Sequence, residues 1–172
     1  MIFLENNKRR KIFFDGEFTR LKTNGIDFLS VAFISDRGNE LYLEINQDFK
    51  ECDDWVVYNV VPYLNQNKVT VEEATQKIKE FVEKEYKNEN PILVADVNQF
   101  DWIGICKLFG IWDIPFYYIP LDFSTILYAK GIDIDINRMY LAKEYGIDTN
   151  GYKQHNALAD TRVLKMLWDK LV

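Results

Sequence analysis

Three apolar stretches separated by turn chemistry, all between Lys11 and Ile45, constrain this chain more than any other feature. Lys11 to Phe18 reads as a strand in which Ile12, Phe13 and Phe14 run straight into Asp15 and Glu17. Asp27 to Ser35 (DFLSVAFIS) is a second, mostly buried strand. Asp36-Arg37-Gly38-Asn39 then turns the chain into a third, where Leu41, Leu43 and Ile45 alternate. A three-stranded antiparallel meander is the predicted opening of the fold.

The pattern changes downstream. Trp55 to Leu64 predicts a helix ending near Pro62. Thr70 with Glu73 is a capping box opening a long helix with Val71, Ala74, Ile78, Phe81 and Val82 at helical spacing. Pro91 to Ala95 predicts a short buried strand, followed by a helix with Trp102, Ile105, Cys106 and Phe109 on one face and Gly110 as its stop. Phe116 to Ile119 predicts a fifth strand, and helices are expected near Thr125 to Lys130, Asn137 to Tyr145 and Ala157 to Leu171. Antiparallel strands followed by strand–helix alternation define an α/β fold: a mixed sheet of three antiparallel and then parallel strands, with helices on both faces. With 172 residues, 48% of them hydrophobic and 28% charged, one domain over 1–172 is expected, with 1–10 as a flexible basic tail.

The net charge of -6 excludes a protein that coats nucleic acid by electrostatics alone, but not an enzyme that grips a short stretch of it. Basic residues gather near the start: Lys8, Arg9, Arg10 and Lys11, then Arg20 and Lys22. No apolar run reaches the eighteen or so residues of a membrane helix. The opening MIFLENNKRRK reverses the order of charge and apolar residues in a secretory signal. Cys52 and Cys106 have no metal-type spacing, so a reducing cytoplasm is expected.

Five residues carry chemistry. Asp15 and Glu17, two apart on a strand, point to the same side. Like charges on one face of a buried strand repel and resist desolvation unless a cation lies between them. Asp160 lies on the apolar face of the last helix with Leu164, Leu167, Trp168 and Leu171, so it points inward near the helix start. His155 is the only histidine. Five residues before Asp160 it cannot share that helical face, and it fits a loop preceding Asn156 at the N-cap. Asp101 opens the helix after the fourth strand, and Asp96 competes with it. Converged, these form an all-oxygen cluster suited to Mg²⁺ or Mn²⁺, two ions of which would cleave a phosphodiester.

The pieces Phe14-Asp15-Gly16-Glu17-Phe18-Thr19, Phe100-Asp101 and His155-Asn156-Ala157-Leu158-Ala159-Asp160 resemble the three motifs of the DEDDh superfamily of 3'-5' exonucleases. Relatives there include RNase T, oligoribonuclease and the proofreading subunit of bacterial DNA polymerase. The chain looks most like the small mycobacterial-type 3'-5' exoribonucleases. That resemblance implies an RNase H-like fold, two Mg²⁺ or Mn²⁺ ions, action at RNA 3' ends, nucleoside 5'-monophosphate as product, and a homodimer. It further implies that Asp15 bridges both metals, that Glu17 and Asp160 complete one site, that Asp101 serves the second, and that His155 is the general base. Phe18 and Thr19 would meet the terminal nucleotide. Val97 departs from the pattern, standing where many relatives carry Asn. The rival readings are a 3'-5' DNA exonuclease, a catalytically silent nucleic-acid-binding module, and a hydrolase of mononucleotides.

Overall fold

The computed structural model describes residues 9–21 and 26–172. The strands are β1 (Lys11–Phe18), β2 (Phe28–Ser35), β3 (Glu40–Glu44), β4 (Ile92–Ala95) and β5 (Leu121–Asp122). They form one sheet in the order β3-β2-β1-β4-β5. The β1–β2 and β2–β3 pairs are antiparallel, whereas β4 joins β1 and β5 joins β4 in parallel. The helices are α1 (Asp54–Asn59), α2 (Val71–Tyr86), α3 (Gln99–Phe109), α4 (Phe123–Ala129), α5 (Arg138–Glu144) and α6 (Ala157–Leu171). No helix among the described residues is long and apolar enough to cross a membrane.

Strand alternation sorts β1 between two cores. Ile12 and Phe14 pack with Val31, Phe33 and the apolar faces of α2 and α3. Phe13, on the opposite face, packs with Ile34, Val94 and α4, α5 and α6. Asp15 and Glu17 follow the parity of Phe13 and therefore lie on the α6 face. One close approach shapes the end of β1. The Phe28 ring lodges between Gly16 on β1 and Gly104 on α3, where an added Cβ would come within 2.4 Å and 2.3 Å of it, respectively. Two glycines thus let strand and helix close on one ring, and the start of α3 is drawn against β1.

The capping box of α2 forms both of its bonds: Glu73 N–H donates to Thr70 Oγ1 at 3.2 Å and Thr70 N–H to Glu73 Oε2 at 2.8 Å. Elsewhere the elements shift. The helix expected over Trp55 to Leu64 stops at Asn59 and continues as a 3-10 turn, Val61–Tyr63, containing Pro62. Ile45 lies just past β3 and bridges to Val69.

Phe116 to Ile119 is not a strand. The Phe116 ring is buried in stacked contact with Phe33 at 5.7 Å, and one backbone bond, Tyr117 N–H to the Pro91 carbonyl at 2.9 Å, stands where a ladder was expected. Pro120 has no N–H to donate, and the fifth strand follows it as Leu121–Asp122. It is cut to two residues because Asp122 caps α4 by accepting the N–H of Thr125.

Among the described residues, the basic side chains near the start do not form one cluster. Arg10, at the start of β1, donates to Asp36 and to the Glu85 carbonyl, and Arg9 lies over the Tyr117 ring. Arg20, beyond the far end of β1, pairs with Glu51. Lys8 and Lys22, and most of the tail expected over 1–10, lie outside the described residues.

Candidate active site

The end of β1, the start of α3 and the start of α6 meet at the carboxyl end of the parallel strands, where open α/β sheets place their ligands. Asp15, Glu17 and Asp160 each present a carboxylate oxygen there, all within 4.8 Å of one another. Across the sheet Asp15 pairs with Ala32 and Glu17 with Ser30, and the register slips between Glu17 and Phe18 as the strand ends.

Asp101 lies alongside. It is 4% exposed, accepts the N–H of Gly16, and keeps Oδ1 without a hydrogen-bond partner among the described residues. Asp96 stands apart chemically. Arg138 grips it at both oxygens, 2.7 and 3.0 Å, and the Ser124 hydroxyl donates to it at 2.8 Å. Of the two middle acids, Asp101 is therefore the one with an oxygen to offer. The Val97 backbone between them has φ of 54°, a left-handed conformation that costs a β-branched residue about 1–2 kcal/mol and suits Asn.

Asn156 caps α6, accepting the N–H of Ala159 at 3.1 Å, and Asp160 follows one turn in. His155 precedes the cap with φ of 62°, and its N–H donates to Asp160 Oδ2 at 2.8 Å. The imidazole meets the Trp55 ring edge to face, with centroids 4.7 Å apart.

Among the described residues no Lys or Arg pairs with these four acids, and burial with mutual repulsion raises their carboxyls. Burial, then the neighbouring Glu17, Asp101 and Asp160, hold the Asp15 carboxyl well above its ordinary value. Burial and Asp160 raise Glu17 to about 8. Burial raises Asp160 to about 6, against the opposing N–H groups of His155 and Asn156. Asp101 is also pushed well up, by burial and then by Glu17 and Asp96. Burial lowers His155, which favours its neutral, proton-accepting form. A carboxylate cluster with a buried, unpartnered oxygen fits hard divalent cations, which would supply the missing charge.

Two clefts share Asp15, His155 and Asp160. One, of about 390 Å³, is walled by Phe18, Arg20, Leu21, Trp55, Val56 and Val60. The other, of about 190 Å³, adds Asp96, Arg138, Met139 and Gln154. Phe18 thus lines the site. Thr19 is buried beneath it, with its N–H on Asp27 and its carbonyl accepting from Asp53. Trp55, Leu21 and Arg138 were not singled out from the sequence, because nothing local signals that Trp55 meets His155, a hundred residues on, or that Arg138 meets Asp96, 42 residues before it.

No protein-family model and no curated protein matches the chain. Solved structures do. Escherichia coli exonuclease I in complex with a dA16 oligonucleotide is similar with a TM-score of 0.67 at 12% identity, over 96% of this chain and 41% of that one. The zinc-bound form of its single-stranded DNA complex gives 0.67 at 13%, over 96% and 40%. A moderately thermophilic exonuclease I from Methylocaldum szegediense gives 0.64 at 14%, over 95% and 40%. The chain spans about two fifths of the exonuclease I chains it matches. With its five-stranded mixed sheet, it has the RNase H-like exonuclease fold.

Proposed function

We propose that this protein is a metal-dependent 3'-5' exonuclease that acts on RNA 3' ends and releases nucleoside 5'-monophosphates. The observation that carries the reading is the convergence of Asp15, Glu17 and Asp160 within 4.8 Å, beside the buried, unpartnered Asp101. Asp15, Glu17 and Asp160 would hold one Mg²⁺ or Mn²⁺, and Asp15 with Asp101 a second. Such ions, when bound, neutralise the phosphate and lower the pKa of water. His155, whose neutral form burial favours, takes the proton from the attacking water. The larger cleft, with its apolar wall of Phe18, Leu21, Trp55 and Val60, receives the terminal nucleoside. Residues 1–172 are taken as one catalytic domain.

Support for an exonuclease comes from the fold shared with exonuclease I, and support for RNA from the likeness of the opening motif to the small exoribonucleases. A second reading, trimming of single-stranded DNA, is favoured by the DNA oligonucleotides that the E. coli structures carry. Digestion of 5'-labelled single-stranded RNA and DNA side by side in Mg²⁺, with Asp15→Ala as control, tests both. A ladder shortening from the 3' end of RNA and absent in the variant is expected. A ladder on DNA alone would select the second reading, and no shortening of either strand would overturn both.

A further inference from the structure

His155 stands where the two clefts meet and lines each of them. Its backbone is fixed by the bond to Asp160, and the neighbouring Asn156 is fixed by capping α6. The imidazole has no such anchor: among the described residues no hydrogen bond reaches it. What meets it is the Trp55 indole, edge to face, with the ring planes at 87°. Rotation about the side-chain bonds would otherwise let the ring turn into either cleft.

The position of Trp55 is set in turn by the strand that carries the carboxylates. Asp53 N–H donates at 3.0 Å to the carbonyl of Thr19, two residues beyond Glu17, so the start of α1 is bonded to the chain leaving β1. Beneath α1, Val56 and Val60 are buried against Leu29 of β2. The Asn59 side chain donates to the Trp55 carbonyl at 2.8 Å and closes the helix above. Asp15, Glu17 and the indole thus share one rigid reference, and the imidazole is measured from it. We propose that Trp55 is a positioning residue, holding the His155 imidazole in the orientation that serves water at the Asp15–Glu17–Asp160 cluster. The inference rests on the exonuclease reading of the site. Trp55 also walls the nucleoside cleft and is 52% exposed, so an entering nucleoside meets the side chain that sets the base. Substrate occupancy and proton abstraction are thereby coupled through one ring.

The single histidine makes this testable, because the folded protein gives one pair of imidazole C–H resonances. Trp55→Leu and Trp55→Phe are compared with the wild type by imidazole NMR and by kcat and KM on a short oligoribonucleotide. Trp55 is half exposed, so neither change empties the core. Trp55→Leu is expected to move the imidazole signals toward their unstructured positions and to lower kcat roughly ten- to a hundredfold, with a smaller change in KM. Trp55→Phe is expected to restore most of both. A rise in KM with kcat and the imidazole signals unmoved would overturn the proposal and leave Trp55 as a wall of the cleft. A wild-type protein with no phosphodiesterase activity would overturn the nuclease reading itself, whatever the imidazole signals do.

Discussion

The backbone N–H of His155 donates to Oδ2 of Asp160 across 2.8 Å, so the loop that presents the imidazole is hooked onto one of the carboxylates it serves. The same carboxylate thus fixes the loop and presents an oxygen to the cluster. The hook requires His155 to adopt φ of 62°, a backbone strain that the cap at Asn156 and the bond to Asp160 together sustain.

Two substitutions at Asp160 separate these duties. Asp160→Asn keeps an oxygen for the His155 N–H, whereas Asp160→Ala removes it. Both are expected to lower phosphodiester hydrolysis roughly a hundredfold or more. Only Asp160→Ala is expected to speed hydrogen exchange at the His155 amide, read by NMR.

The raised carboxyls give a signed pH dependence. Between about pH 4, where ordinary carboxyls titrate, and about 8, where Glu17 does, the folded protein binds protons that the unfolded chain has released. The contribution of these acids to the stability of the metal-free protein is therefore full at low pH and falls as pH rises through this window. The slope is on the order of 1.4 kcal/mol per pH unit for each group protonated only in the native state. Excess Mg²⁺ is expected to flatten the fall, because the ion binds the deprotonated acids. Urea unfolding at several pH values, with chelator and with Mg²⁺, measures both arms.

Asp101→Asn is expected to help the fold and harm the chemistry. It removes a buried acid that folding must either protonate or leave charged beside Glu17, so the melting temperature in chelator at pH 8 rises. Hydrolysis falls roughly a hundredfold. Calorimetry and the ladder assay on one preparation check the pair.

At Val97 the left-handed backbone and the β-branched side chain conflict. Val97→Asn is expected to stabilise by about 1 kcal/mol, which raises the melting temperature of a chain of this size by about 3 °C. Thermal unfolding in chelator isolates the effect from metal binding.

How much of this was legible in the sequence follows from how far apart the partners lie. Strand alternation alone places Asp15 and Glu17 on one side, and cap chemistry alone sets His155 before Asn156 and Asp160 one turn in. Both are local. The choice between Asp96 and Asp101 was not, because Arg138, which occupies Asp96, is 42 residues away. Phe116 to Ile119 misled for another reason: aromatic side chains favour strands, but here the Phe116 ring belongs to a cluster with Phe33 and Phe109. The contact of Trp55 with His155, a hundred residues apart, exists only once the sheet brings α1 and α6 together.

Calorimetric titration of the metal-free protein with Mn²⁺ at pH 8, beside Asp15→Asn, decides whether the acidic cluster holds a metal ion. Saturable binding by the wild type, a matching rise in melting temperature, and loss of both in Asp15→Asn are expected. A wild-type protein that binds no Mn²⁺ and melts at the same temperature with and without it would mean that Asp15, Glu17 and Asp160 do not form a metal site.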